Sequence, residues 1–80
     1  MTTHLVRVTW HDAHATATDV YTKAKHHAPA VMYTVGWLLD DDGIGVSVAC
    51  ERYPDDVLGW NYRGHTFIPR GIVVKIERLS

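Results

Sequence analysis

The clearest signal of the fold is Phe-Ile-Pro-Arg-Gly-Ile-Val-Val-Lys-Ile-Glu-Arg-Leu at residues 67–79. Proline removes a backbone donor and glycine weakens a strand, so the Pro-Arg-Gly run interrupts two apolar segments. The pattern predicts a short strand at 65–68, a single turn over 69–71 and a last strand at 72–79. Apolar residues alternate in the last strand, which places Ile72, Val74 and Ile76 on one face and Val73 on the other.

Three segments upstream show the same period of two and predict three more strands. They are residues 4–10, 30–39 and 44–51. Alternate positions in the first and third segments define a candidate core, which comprises Val6, Val8, Trp10, Ile44, Val46, Val48 and Cys50. Cys50 is therefore expected to be a buried, unreactive thiol. Gly36, in the middle of the second segment, predicts a bend or a bulge.

The segments between these strands carry turn and helix signals. Residues 40–43, Asp-Asp-Asp-Gly, predict a solvated turn. Between the first two strands, Thr16 or Thr18 can cap one short helix that runs to about His27. Residues 53–64 contain proline, glycine and two aspartates, and this composition predicts a loop.

Length and composition limit the class of protein. Eighty residues predict a single domain over 1–80, and 46% hydrophobic residues exclude a disordered tail. No apolar run approaches the roughly 20 residues of a membrane span, and residues 1–10 lack the apolar core of a secretion signal. A single cysteine excludes an internal disulfide and fits a reducing cytoplasm. A net charge of −1 argues against bulk binding to a nucleic-acid backbone.

Five short strands and one helix between the first two predict a mainly β chain folded as a small, strongly bent barrel. A two-layer α+β arrangement is the alternative. Residues 31–39 are apolar on both faces, and a strand of that kind is usually covered on both. In so short a chain the second cover is expected to come from another copy, so we expect a homo-oligomer.

Gly36, Leu38 and Asp42 lie around the predicted turn between the second and third strands, and Arg70-Gly71 is followed by an apolar strand. In their spacing these two groups resemble the first and second motifs of the Sm-like family, which includes the bacterial Hfq-type RNA chaperones. The resemblance covers residues 31–79. It implies a five-stranded SH3/Sm-like barrel, a 3₁₀ turn before the last strand and a ring that binds short single-stranded RNA.

A ligand smaller than RNA is favoured, because the family's uridine-reading asparagine falls at Val46, whose side chain cannot hydrogen-bond a base. In size and layout the chain also resembles small bacteriophage proteins that form oligomers and withhold the nucleotide messengers of bacterial defence. That resemblance implies sequestration of a cyclic dinucleotide or a cyclic ADP-ribose type of molecule in the cytoplasm of an infected bacterium. The alternatives are an Sm-like ring for short RNA and a protein–protein inhibitor without a small ligand.

The segment from Gly59 to His65 carries the residue types that a nucleotide site needs. Aromatic rings stack on bases, and arginine pairs with phosphate. We predict a ligand site formed by Trp60, Asn61, Tyr62, Arg63, His65 and, from the next turn, Arg70. The alternative is that Trp60 and Tyr62 fold back as a hydrophobic lid on the barrel.

Neither catalysis nor metal binding is predicted. His11, Asp12 and His14 have a spacing that can place ligands on a metal, but no helix with a general base accompanies them. Ser47 lies in a strand without the glycine elbow of a hydrolase nucleophile. We therefore expect a binding protein that is not an enzyme and needs no cofactor.

Overall fold

In the computed structural model, which describes residues 3–12, 30–57 and 59–80, the chain forms one antiparallel sheet of five strands. The strands are β1 (Leu5–Asp12), β2 (Ala30–Asp41), β3 (Gly45–Asp55), β4 (Gly59–Pro69) and β5 (Val73–Arg78). They lie in the order β4-β3-β2-β1-β5, so the sheet is open and has β4 and β5 as its edges. The predicted mainly β class with five strands is confirmed. The helix predicted to end near His27 lies outside the described residues.

The long strands β2 and β3 do not keep the same neighbouring strands along their whole length. The N-terminal part of β2 pairs with β1 as far as Trp37, opposite Leu5. Its C-terminal part pairs with β3 from Trp37, opposite Ala49, to Asp41. Beyond Ala49, β4 is the one described strand that pairs with β3. We call residues 50–64 the outer hairpin and the remaining paired strands the inner sheet.

The core lies on one face of the inner sheet. Its fully buried side chains are Val6, Val8, Val46, Val48 and Ile68. Half-buried apolar side chains pack against them, namely Trp10, Leu38, Ile72, Val73 and Ile76. The alternation predicted for the first and third strands is confirmed at the four valines. Burial of a valine, leucine or isoleucine side chain contributes about 1.5–3 kcal/mol, so this cluster is the main source of stability.

Three core predictions at the strand ends are wrong. Ile44 is 76% exposed, because it precedes β3 and lies in the turn. In the last strand, Ile72 and Ile76 pack against the core, in keeping with the predicted face. Val73 packs there as well and Val74 is 52% exposed, so the predicted sides of these two valines are wrong. The pairing of β1 with β5 is irregular between Thr9 and Trp10, and this shift changes which side of β5 faces the core.

Gly36 is a point of close approach between β2 and β3. A Cβ atom on Gly36 would lie 2.6 Å from the backbone oxygen of Ala49. The ladder irregularity predicted here occurs three residues later, between Leu38 and Asp40. Glycine is therefore needed at position 36 for space, since Cβ atoms do not approach a backbone oxygen so closely.

The turn after β2 is tied to the 3₁₀ turn (Arg70–Ile72) that joins β4 to β5. The Asp42 carboxylate accepts hydrogen bonds from the backbone N–H groups of Ile44 at 2.8 Å and Gly45 at 3.1 Å. The N–H groups of Gly45 and Ile44 lower the pKa of the Asp42 carboxyl. Arg70 donates to the backbone oxygen of Asp42 and pairs with Asp41. The single turn predicted over 69–71 is confirmed, one residue later.

Candidate functional site

The segment predicted as a loop over residues 53–64 consists of two paired strands and the turn that joins them. The register of β3 and β4 stays regular as far as Asp55, opposite Gly59. The Asp55 carboxylate accepts a hydrogen bond from the Val57 N–H at 2.8 Å, and Gly59 supplies a φ of 85°. Pro54 fits because the outer half of β3 has β4 as its one neighbour in the described sheet, and proline is tolerated in a strand without a neighbour on its second side.

Strand alternation separates the predicted site residues. Trp60 and Tyr62 share one face of β4 and stand opposite Pro54 and Arg52. The other face of β4 carries Asn61, Arg63 and His65, which stand opposite Tyr53, Glu51 and Ala49. The structure therefore brings the two aromatic residues together but does not place Arg63 beside them.

Arg52 replaces Arg63 as the cation of the aromatic face. Its guanidinium carbon lies 3.6 Å from the ring centroid of Trp37 and 3.9 Å from that of Trp60. A guanidinium carbon this close to two ring centroids lies against the faces of both indoles. We call Trp37, Arg52 and Trp60 the Arg52 cluster. Each cation–π contact of this kind contributes about 0.5–2 kcal/mol.

Two elements of the sheet build this cluster. Trp37 stands at the last pair between β2 and β3, where the inner sheet meets the outer hairpin. Arg52 and Trp60 come from the two strands of the hairpin and are diagonal neighbours, since Arg52 pairs with Tyr62 and Pro54 with Trp60. Arg52 is half-buried, and Trp60 is 40% exposed. The indoles thus form an accessible surface rather than a closed core.

Within the described ranges, no carboxylate or backbone oxygen accepts a hydrogen bond from Arg52. The guanidinium keeps donors for an anion while its faces are covered by indoles. Arginine in this state offers a planar, bidentate contact to phosphate. Aromatic faces with a free guanidinium are the chemistry that binds a base and its phosphate together.

On the opposite face of the outer hairpin, the charge of Arg63 is paired with that of Glu51. Arg63 donates from Nε to Glu51 Oε2 at 2.8 Å, and its guanidinium lies 5.9 Å from the Tyr53 ring. The hydrogen bond that Arg63 donates to Glu51 raises the pKa of Arg63. Asn61 donates to Asp55 Oδ2 at 2.6 Å. A phosphate here would have to compete with a carboxylate that already pairs with the arginine.

Arg70, the last predicted site residue, makes contacts that link two turns of the fold. It binds Asp41 and the backbone oxygen of Asp42, and so joins the 3₁₀ turn to the turn after β2. It belongs to the inner sheet and not to the outer hairpin. His65 is exposed on β4 opposite Ala49.

The prediction of a buried Cys50 is wrong. Cys50 is exposed, because the outer half of β3 lies beyond the core and has β4 as its single neighbour among the described strands. Its sulfur lies over Gly64, which has a φ of 72°, and a Cβ atom on Gly64 would collide with that sulfur. The thiol therefore occupies the place that a side chain at position 64 would need.

Charged and apolar side chains share the outer face of β1, β2 and β5. Arg7 donates to Glu77 Oε1 at 3.1 and 2.7 Å, which lowers the pKa of Glu77 and raises that of Arg7. Beside this pair runs an apolar stripe on β2, formed by Val31, Tyr33 and Val35 at 50–62% exposure. Monomeric proteins rarely expose several adjacent large apolar residues without a role in association.

A metal centre finds no support in the part of the chain that the structure describes. No three histidine, cysteine or acidic side chains there form a group that could hold a metal ion. His11 and Asp12 are exposed at the end of β1, and His14 lies outside the described residues.

Comparisons with protein-family models, with curated proteins and with solved structures gave no match to this chain. In the ranges 3–12, 30–57 and 59–80 no helix is long and apolar enough to cross a bilayer.

Sequence reasoning missed Arg52 and Trp37 as partners. Their contact joins β2 to β3 across 15 positions, and no motif spacing reports such a contact. One signal was present: if the segment 53–64 is read as a hairpin around residue 57, Arg52 falls two positions diagonally from Trp60. The proline and glycines in that segment concealed this pairing.

Proposed function

We propose that this protein binds and sequesters a small nucleotide messenger of bacterial anti-phage defence, of the cyclic dinucleotide or cyclic ADP-ribose type. It would act by stoichiometric withdrawal of the messenger and not by catalysis, in the cytoplasm of an infected bacterium. The observation that carries the proposal is the Arg52 cluster. Two accessible indoles and a guanidinium without an acidic partner in the described residues match a ligand that has planar bases and phosphates.

The comparison among arginines supports this choice of site. Arg7, Arg63 and Arg70 each pair with a carboxylate, whereas the polar and charged contacts of Arg52 within the described residues are with rings alone. Of the residues predicted from the sequence, Trp60 and Tyr62 stay in the proposed site. Asn61, Arg63, His65 and Arg70 are proposed as secondary contacts at most, because they lie on the other face or in the turn.

We also propose that the sheet is the core of an SH3/Sm-like small barrel. The residues that carry the Sm-like resemblance support this, since each has a structural role. Gly36 allows the close approach of Ala49, Leu38 packs on the core, and Asp42 organises the turn between β2 and β3. Arg70, from the second motif, binds the Asp42 backbone, so the two motifs are in contact.

Assembly into a homo-oligomer belongs to the proposal. The edge strands β4 and β5 carry backbone groups that no neighbouring strand pairs within the described sheet. Such edges associate readily with other strands. The apolar stripe of Val31, Tyr33 and Val35 supplies a second surface for association.

The same stripe favours the second candidate, a protein–protein inhibitor without a small ligand. An RNA-binding ring is less well supported, because Val46 stands where the family's uridine-reading asparagine falls and is fully buried. A buried valine in the core cannot be exchanged for a base contact without loss of packing.

The proposal is tested by calorimetry against cyclic dinucleotides, cyclic ADP-ribose isomers and a uridine-rich RNA. We expect one small nucleotide to bind and, after heat denaturation of the complex, to be released chemically unchanged. Trp60→Ala should weaken that binding by about 1–3 kcal/mol, the contribution of one stacked base. Arg63→Ala, on the opposite face, should weaken it less. Light scattering on the same sample should give a multiple of the 9.0 kDa chain.

Each other outcome identifies a different function. A cleaved product would indicate an enzyme. Preference for the RNA, with affinity that falls steeply as salt rises, would indicate an RNA-binding ring. If none of the three ligand classes binds, the inhibitor takes first place and the nucleotide proposal is wrong.

A further inference from the structure

We propose that the space between Trp37 and Trp60 is a slot for one nucleobase, and that Arg52 fills this slot in the free protein and leaves it when a base enters. The identity of the natural ligand rests on the proposed function, whereas the geometry of the slot does not. It adds an exchange step to the site: the base takes the place of the guanidinium, and the displaced guanidinium pairs with the phosphate of the same nucleotide.

The dimensions of the slot follow from what occupies it. A guanidinium and a nucleobase are both flat groups one atom thick. Arg52 lies at stacking distance from both rings, 3.6 and 3.9 Å from their centroids. A base can therefore take its place without a change in the separation of the indoles. A thicker group, such as a sugar or a tetrahedral ammonium, would have to push the rings apart.

Among the described residues, the two rings hold the occupant of the slot and no carboxylate does. Arg7, Arg63 and Arg70 have hydrogen bonds to carboxylates that would resist displacement. Arg52 has none within the described residues, so its departure costs two ring contacts and no ion pair. A base that stacks on the same two indoles replaces those contacts with contacts of at least similar strength.

The displaced side chain stays near the ligand. Arg52 is anchored in β3 opposite Tyr62, and its long flexible stem can swing the guanidinium to the rim of the slot. There it can bind phosphate in a bidentate manner. The device distinguishes a nucleotide from a free base or nucleoside, since only the nucleotide gives the expelled cation a new partner.

The test measures the binding of adenosine, adenosine 5′-monophosphate and ribose 5-phosphate by tryptophan fluorescence and calorimetry. Arg52→Met keeps the length of the stem but empties the slot of its cation. We expect it to bind adenosine about three- to tenfold more tightly than the parent and the monophosphate about three- to tenfold more weakly, the size of one or two lost cation contacts. Arg78→Ala, an exposed arginine on the opposite edge strand, should match the parent for all three probes.

A second measurement uses the parent protein and does not depend on the folding of a variant. The protons of the Arg52 side chain, shielded by two indoles, should resonate far upfield in the free state. They should return to ordinary positions when adenosine 5′-monophosphate binds, whereas ribose 5-phosphate should leave them upfield.

The two proposals fail in different ways. If Arg52→Met binds both adenosine and the monophosphate as the parent does, or binds both more weakly, Arg52 is not a displaceable occupant and the slot is wrong. The same holds if neither protein binds either probe, or if ribose 5-phosphate binds as well as the monophosphate. If the parent ignores every cyclic messenger and Arg52→Met still gains adenosine binding, the slot stands and the proposed sequestration falls.

Discussion

The inner sheet and the outer hairpin are made of the same kind of strand but differ in what their side chains do. In the inner sheet, all five strands contribute side chains to one core. Its buried members are Val6, Val8, Val46, Val48 and Ile68. In the outer hairpin, the two strands pair only with each other among the described strands, and their side chains form cation–π contacts, one ion pair and hydrogen bonds at the surface. The difference indicates that stability resides in the first region, while the second carries the site that we propose for binding.

The largest effect should come from a cavity in the inner sheet. Ile68→Ala removes a fully buried side chain from the centre of the core. We expect it to lower the free energy of unfolding by about 2–5 kcal/mol, because neighbouring side chains refill such a cavity only in part. Urea denaturation followed by circular dichroism measures the loss. Tyr53→Ala, which truncates a 49% exposed ring of the outer hairpin, is the matched variant and should change stability far less. Equal losses in the two variants would remove the distinction between the regions.

A smaller effect is expected at Gly64, where the outer hairpin has a backbone requirement of its own. Gly64→Ala forces an L side chain to a φ of 72° and into the sulfur of Cys50. Gly59→Ala meets the conformational cost, about 1–2 kcal/mol, and among the described residues beyond its chain neighbours no atom lies within 4 Å of its added methyl group. We expect Gly64→Ala to be the more destabilising of the two in thermal melts. In a Cys50→Ala background the two glycine variants should become similar, and a persistent difference would show that the sulfur is not the cause.

The smallest effect is a pH dependence confined to the inner sheet and its turns. The pKa values of Asp42 and Glu77 are lowered below their ordinary values of 3.8 and 4.5 by hydrogen bonds from the Gly45 backbone and from Arg7. The folded state therefore binds protons less readily than the unfolded chain. The stabilisation is complete above the unfolded pKa values and is lost as the pH falls through the lower, folded ones.

Urea midpoints measured from pH 6 to pH 3 test this expectation. Stability should fall with pH, and Asp42→Asn should reduce the slope because the amide accepts the same hydrogen bonds but does not titrate. Glu51→Gln, on the exposed face of the outer hairpin, is the comparison. If its slope changes as much as that of Asp42→Asn, the pH response is not a property of the inner sheet.

The sequence predicted the inner sheet well and the outer hairpin poorly. Alternation identified the buried valines of β1 and β3, because one face of those strands meets a core and the other does not. In the outer hairpin both faces are accessible and no such contrast exists. Pro54, Gly59 and Gly64 are residue types typical of a loop, and they therefore led to the prediction of one. Each is nevertheless compatible with a strand that has a single neighbour in the described sheet.

The candidate site was half predictable for the same reason. Trp60 and Tyr62 were identified from residue type, and a nucleotide remains the proposed ligand. Their cation was predicted to be Arg63 or Arg70. Strand alternation places Arg63 on the other face, where Glu51 pairs with it, and Arg70 pairs with Asp41. Arg52 joins Trp37 and Trp60 only after the chain has returned through β2 and β3, so the contact depends on tertiary structure.

The pairing of β1 with β5 has a consequence for the order of events in folding. The Arg7–Glu77 contact spans 70 residues, whereas the outer hairpin closes across a turn of a few residues. A hairpin forms in about 1–10 μs, while sheets dominated by distant pairings take milliseconds to seconds. Arg52 and Trp60 can therefore meet early, in a nascent hairpin, and Trp37 joins them only when the sheet assembles. Completion of the Arg52 cluster should therefore report the slow assembly of the sheet, as a late change in tryptophan fluorescence during refolding.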